Sequence, residues 1–333
     1  MVSHVKIDPF LPILAGAVVL ALLWPDPGAT GGILHTDVVA QYGIIIIFFL
    51  YGLSLAPEHL WQSAGKWRVH LVVQVSTFVL FPAVVILARP LLDRVFPAEV
   101  VLGLFFLAAL PSTVSSSVAM TSMARGNVPV AIFNASISSL IGVFITPLLL
   151  AWYLHATGEG LHLQQVILKL VLMVLLPLGV GQVLRPLLRG MVERHKAVVK
   201  VADRAVIVVI VYNSFCDSMA AGVWAKQGAT VLVGMAVSVI ALFLVVYAIV
   251  GMICRILGFS IADRIATLFC ASKKSLATGL PMAGVIFGTG GDVGILIAPI
   301  MMFHFFQLVI VSMLASRYAR RPTEGPVERP QGH

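Results

Sequence analysis

Apolar runs near twenty residues recur along the whole chain, each long enough to cross a hydrocarbon core of ~30 Å as a helix. The ten-residue alternation of a transmembrane β-barrel is absent. The pattern predicts ten spans, at roughly 8–24, 38–56, 69–88, 98–124, 128–154, 164–186, 204–224, 228–256, 262–287 and 293–316. The expected class is therefore an all-α polytopic membrane protein.

Ten spans with a midpoint near residue 160 divide into two sets of five, residues 1–157 and 158–317. An odd number of spans per half requires the halves to lie in opposite orientations, the topology of an inverted repeat. The halves also share a feature. Span four contains LPSTVSSSVAMTS and its counterpart, span nine, contains CASKKSLATGLP. Each is a hydroxyl-rich interruption of an otherwise apolar helix at the corresponding place in its half.

Composition sharpens this picture. The chain is 59% hydrophobic and only 11% charged, with a mean hydropathy of +1.02. The net charge of +8 is no sign of nucleic-acid binding, because the charges sit in short loops between spans. With the N-terminus in the cytoplasm, 16 of the 22 Lys and Arg residues fall on the cytoplasmic side and 3 on the other. The remaining three, Lys169, Lys273 and Lys274, lie within spans. That asymmetry places both termini in the cytoplasm, and the plasma (inner) membrane is the expected location. The tail, residues 318–333, is Pro-rich and polar and reads as a disordered cytoplasmic segment.

Three cysteines, all inside apolar segments, imply no disulfide framework. The apolar stretch after Lys6 has the look of a signal peptide, but PDPGATGG offers no small-x-small cleavage site directly after it. GTGGDVG (Gly288–Gly294) lacks dinucleotide-loop spacing, and Asn134-Ala-Ser136 is a sequon inside a span. No metal-enzyme spacing and no nucleophile–base pair is evident, so an enzyme is not expected and no cofactor is required.

The interruptions carry the candidate chemistry. Pro111 has no amide hydrogen and clashes with the preceding turn, so span four should break near Leu110. Five hydroxyl residues follow in six positions: Ser112, Thr113, Ser115, Ser116 and Ser117. Their oxygens and the freed carbonyls suit a cation, while the half-helix after the break offers amide hydrogens to an anion. Irregular backbone at this depth must face protein or a wet cavity; a kink serving only packing is the plainer reading.

In span nine, Ser272, Lys273, Lys274 and Ser275 stand in the interruption. A lysine at mid-membrane costs on the order of 2.5–3.5 kcal/mol. Adjacent lysines point about 100° apart, so at least one cannot snorkel to a near interface. A polar cavity at a helix break resolves this, with an anionic partner for the ammonium or with loss of its charge. The plainer reading, a misplaced span with the lysines in a cytoplasmic loop, leaves only Ile265–Ala271 before them, too short to cross. Asp217 is the only acid well inside an apolar span; it either partners a lysine, carries a proton, or sits hydrated near the outer mouth of span seven. Span five presents Asn134, Ser136, Ser138 and Ser139 on one broad polar face, to meet the break in span four or to glue helices together. His304 and Gln307 form an i, i+3 pair in span ten.

Taken together, PSTVSSSVAMTSMARGNVPVAIFNASISSLIGVFITPLL, FCASKKSLATGLPMAGVIF and FHFFQ resemble the bile acid:sodium symporter family, in the branch that includes solute carrier family 10 member 7 and its bacterial relatives. The likeness covers essentially the whole chain. It implies two inverted five-helix repeats, with spans 3–5 and 8–10 forming a core in which broken helices 4 and 9 cross. Spans 1, 2, 6 and 7 would form a panel, with substrate between panel and core. It further implies sodium-coupled transport by alternating access.

Carried over residue by residue, the family's serine and asparagine after the first break match Ser116 and Ser117, which makes these the candidate sodium ligands. The span-five ligands correspond to Asn134, Ser136 and Ser138, and the span-three glutamine to Gln74 or Thr77. Where sodium-binding members have a glutamate and then Gly-x-Gln-Asn, this chain has Ala271-Ser272-Lys273-Lys274-Ser275 and no acid. A like charge at 4 Å costs about 4 kcal/mol at an effective dielectric near 20, so unaltered sodium sites are not expected. The expected function is a secondary transporter for an organic or amphipathic anion, coupled to sodium or protons. The alternative is a membrane regulator or scaffold that keeps the fold without transport. Expected partners are the lipid bilayer and a small organic anion, with oligomeric state open and no nucleic acid.

Overall fold

The computed structural model describes residues 10–54, 65–157, 168, 171–220, 222, 228–288 and 293–321. The tail from 322 onward, the boundary at 157/158, and Lys169 and Lys226 lie wholly or partly outside the described residues. Among the described residues every regular element is helical. In chain order these are α1 (Phe10–Leu23), α2 (Thr36–Ser54), α3 (Trp67–Leu92), α4 (Ala98–Ala109), α5 (Ser115–Met123) and α6 (Val128–Thr157). There follow α7 (Val171–Arg194), α8 (Lys196–Ala220), α9 (Ala229–Ile256), α10 (Ile261–Ala271), α11 (Leu276–Phe287) and α12 (Val293–Ala319).

Six of these, α2, α3, α6, α7, α9 and α12, are long and apolar enough to cross a bilayer. Their outward faces carry large apolar side chains in the open, among them Leu87, Leu148, Val183 and Val237. Such exposure suits lipid rather than water.

The helices pack in two groups. In one, α2 lies along α7 and α8, and α1 lies along α8. The first of these crossings depends on glycine: a Cβ on Gly52 would strike the Leu178 carbonyl, and one on Gly181 the Phe49 carbonyl. Only residues without a side chain let two helices come this close. In the other group α4 packs on α12 and α3, α9 on α12 and α10, and α6 on α5 and α10. The groups touch where α8 meets α11 and α12 and where α2 meets α11.

Local sequence explains where the short helices stop. Helix α4 ends because Pro111 cannot continue it, and Leu110 is already extended (φ −68°, ψ 152°). Helix α10 starts on the Ser260 hydroxyl, which accepts the Asp263 amide. The turn from α5 to α6 puts Arg125 at φ 53°, a left-handed conformation uncommon without glycine. The Asn127 amide donates to the Ala262 carbonyl (3.0 Å), and Asp263 accepts from Asn127 Nδ2 (2.6 Å) and Lys66 Nζ (2.7 Å). The starts of α3, α6 and α10 are thereby tied together.

Candidate functional site

Two gaps in the helices meet inside the second group, residues 110–114 between α4 and α5 and residues 272–275 between α10 and α11. Their backbones touch directly: the Ser275 amide donates to the Pro111 carbonyl at 2.8 Å. Gly142 on α6 leaves space for the break, since a Cβ there would come within 2.5 Å of the Pro111 ring.

A helix end leaves carbonyls without intrahelical partners, and buried carbonyls must be satisfied. Here each end is served by side chains from other elements. At the end of α10, the Cys270 carbonyl accepts from Ser112 Oγ (2.5 Å) and the Phe269 carbonyl from Ser117 Oγ (3.1 Å). At the end of α4, the Ala109 carbonyl accepts from Thr146 Oγ1 (2.7 Å), while Ala108 and Leu110 both accept from Lys274 Nζ (2.6 and 2.7 Å). The Ser112 amide is taken by Ser138 Oγ on α6 (2.9 Å).

The two lysines are fully enclosed, at 0% and 1% exposure, and do different things. Lys274 Nζ also donates to the Thr77 carbonyl (2.7 Å) and lies 4.2 Å from the centre of the Phe81 ring. Its backbone is held by Gln307, whose Oε1 accepts the Lys274 amide (2.8 Å) and whose Nε2 donates to the Lys274 carbonyl (2.9 Å). His304 Nδ1 stands 2.9 Å from the same Nε2. Lys273 turns the other way and donates to Ser116 Oγ (2.7 Å), which donates on to Thr113 Oγ1 (2.9 Å), itself 2.8 Å from Ser117 Oγ. Among the described residues neither lysine forms an ion pair.

Between the two helix groups runs a cavity of about 1530 Å³. Thr113, Ser115, Ser116, Ser275 and Thr278 line it at the helix breaks, joined by Ser136 and Ser139 of α6 and by His304. Leu50, Leu53, Ile132, Val143, Phe305 and Leu308 give it apolar walls. Arg185, Arg189, Lys200, Arg204, Arg317 and Arg320 line it as well, and among the described residues the acids in its lining are Glu193 and Asp203. His304 and Arg317 lie on the same helix, about 20 Å apart along its axis. The cavity therefore has a hydroxyl-rich floor, an apolar middle and a cationic rim.

The sequence-singled residues divide accordingly. Ser112, Ser117, Ser138, Ser272, Lys273, Lys274 and Gln307 are buried in the crossing, while Thr113, Ser115, Ser116, Ser136, Ser275 and His304 also face the cavity. Asn134 is buried and bonds within α6, Nδ2 to the Val130 carbonyl (2.9 Å), with Gln74 Nε2 on its own carbonyl (3.2 Å). Asp217 is elsewhere. Its carboxylate accepts from the Thr30 amide (2.6 Å) and hydroxyl (2.8 Å), clamping the α1–α2 connection to α8, and it reaches neither lysine.

Sodium does not fit the crossing as it stands. The Ser116 and Ser117 hydroxyls are already engaged with Lys273, Thr113 and the Phe269 carbonyl, and among the described residues no carboxylate pairs with the ammonium. Among the described residues no cluster of His, Cys, Asp and Glu could hold a metal ion.

Sequence comparison complements this geometry. The profile of the SBF-like CPA transporter family matches residues 8–320. An uncharacterized protein of Pseudomonas aeruginosa is 41% identical over 94% of this chain and 93% of its own length. The symporter-like protein YfeH of Escherichia coli is 37% identical over 95% and 94%. The sodium/bile acid cotransporter 7 of Mus musculus is 30% identical over 94% and 93%.

Proposed function

The chain belongs to the SBF-like CPA transporter family, of the bile acid:sodium symporter type, and on that premise we propose that it carries an organic or amphipathic anion by alternating access, coupled to sodium or protons. It is an integral membrane transport protein, not an enzyme. The cavity carries the proposal: an apolar passage with six basic side chains against two acids near its rim and hydroxyls at its floor. An anion with an apolar body gains from both. The walls shed water from the body, at roughly 25 cal/mol per Å², and the rim attracts the charge before it enters.

In this reading the ten spans are α1, α2, α3, α4 with α5, α6, α7, α8, α9, α10 with α11, and α12, forming two inverted repeats. The group of α1, α2, α7 and α8 is the panel, and the rest is the core. The membrane in this reading is the plasma (inner) membrane with both termini on its cytoplasmic side, as the distribution of Lys and Arg supports, so the cavity opens inward. At its floor, the first turns of α5 and α11 present amide hydrogens and partial positive charge. The Lys273 ammonium, one hydroxyl away through Ser116 (2.7 Å), adds to that field. The anionic group of the substrate sits at this floor or at the rim as it passes.

Purified protein in proteoliposomes tests the reading, with uptake of a panel of amphipathic carboxylates and sulfonates measured under sodium, proton or no gradient. Accumulation of at least one anion, driven by one of the two gradients, is expected. Uptake equal to that of empty liposomes across the panel would refute it.

A further inference from the structure

Three backbone carbonyls converge on the Lys274 nitrogen, and the sequence accounts for why each is free. In an α-helix the Thr77 carbonyl would accept from the amide of Phe81, but α3 widens over Ser76–Leu80 and the Phe81 amide bonds to Ser76 instead. The next residue along, Pro82, has no amide hydrogen to offer. The Ala108 carbonyl would accept from residue 111 or 112. Residue 111 is proline, and the Ser112 amide is given to Ser138. The Leu110 carbonyl lies in the break itself.

The carbonyls stand 2.6–2.7 Å from one nitrogen. A neutral amine has two N–H donors and an ammonium three, so three carbonyls at this distance specify the charged form. The Phe81 ring, 4.2 Å from the nitrogen, presents its face to the same charge. Carbonyl oxygens at the C-terminal end of α4 also carry the negative pole of that helix. Such a set of oxygens replaces the hydration shell of a monovalent cation.

We infer that the Thr77, Ala108 and Leu110 carbonyls with the Phe81 ring form a monovalent-cation site that the chain fills with its own Lys274 ammonium. The inference deepens the reading of the crossing as a transporter's centre. Its consequence there is that no dissolved sodium ion occupies this position during turnover. Lys273, facing the Ser116 side, is then the lysine left to act on the anion.

Lys274→Ala removes the equivalent of a propylammonium ion and leaves the carbonyls in place. Thermal unfolding of the detergent-solubilised variant is measured in choline chloride and with sodium, potassium or propylammonium chloride at equal ionic strength, with 1-propanol as the uncharged control. A melting temperature below wild type in choline is expected. A rise of about 2 °C or more is expected in propylammonium, and in sodium or potassium, from linkage at ligand concentrations near ten times Kd. No rise is expected with propanol. Lys274→Met fills the space without charge, and its lowered melting temperature should not respond to any of the cations.

Equal melting temperatures of Lys274→Ala in all the salts would overturn the inference. So would an equal response of Lys274→Met, or a Lys274→Ala protein that stays aggregated in propylammonium. The readout is stability, so it is independent of transport: rescue without measurable anion uptake would count against the transporter reading and not against the cation site.

Discussion

Gln307→Leu is the substitution whose consequence is most tightly fixed by the structure. Gln307 is completely buried and grips both backbone groups of Lys274, accepting its amide at 2.8 Å and donating to its carbonyl at 2.9 Å. Leucine has similar bulk and no polar atoms, so no large cavity forms, but the Lys274 amide and carbonyl lose their partners. Each buried group left unsatisfied costs about 1–3 kcal/mol, for a total of roughly 2–6 kcal/mol. At about 2 °C per kcal/mol for a chain of this size, the melting temperature in detergent should fall by about 4–12 °C. Gln307→Glu keeps the acceptor and loses the donor, so it should fall between Gln307→Leu and wild type. Tryptophan-fluorescence unfolding at a fixed scan rate reads both variants, the scan rate mattering because such unfolding is often irreversible. A Gln307→Leu protein melting within about 1 °C of wild type, a fraction of 1 kcal/mol, would show that this side chain does not hold the break.

Other substitutions probe the remaining parts of the structure. Gly181→Val places a methyl-bearing carbon against the Phe49 carbonyl, and the overpacking should cost ~1–3 kcal/mol in the same unfolding assay. Lys66→Ala should cost no more than ~1 kcal/mol because Lys66 is 46% exposed. Asp263→Ala should cost more, ~1–3 kcal/mol, because it also strips Asn127 and Ser260 of their acceptor; a smaller loss for Asp263→Ala than for Lys66→Ala would contradict the network. Arg317→Ala combined with Arg320→Ala should raise the apparent KM for the anion about thirtyfold, from ~1 kcal/mol for each charge, with little change in kcat. A water-screened charge contributes about 1 kcal/mol at 4 Å, and added salt should shrink the difference.

The two gaps between helices, at residues 110–114 and 272–275, were partly legible in the sequence because their causes are local. Proline's missing amide marks a break wherever it falls inside an apolar run, and a burst of hydroxyls beside it advertises the need for partners. Two adjacent lysines among apolar residues likewise declare a buried polar environment. What the lysines bind was not legible. The Thr77 carbonyl is available only because α3 widens ahead of Pro82, and the Ala109 carbonyl is met by Thr146 from 37 residues away. Backbone acceptors leave no trace in residue identity. The cationic rim was hidden for a different reason: Arg185, Arg189, Arg317 and Arg320 serve equally well as loop charges that set orientation, and only packing brings them to one cavity. Asp217 offered several roles by its isolation, and a contact 187 residues away, with Thr30, is what defines it.

Cysteine protection measures whether the anion occupies the cavity. The three native cysteines are buried, so background labelling is low. Ser136→Cys near the floor and Ser316→Cys nearer the rim both face the cavity, while Leu257→Cys, just past the end of α9, is exposed outside it. With inside-out vesicles and a charged, impermeant thiol reagent, all three cysteines should react readily, and the transported anion should slow the two in the cavity while leaving Leu257→Cys unchanged. Cavity cysteines that fail to react, or that react equally fast with saturating anion, would contradict a substrate site between the two helix groups.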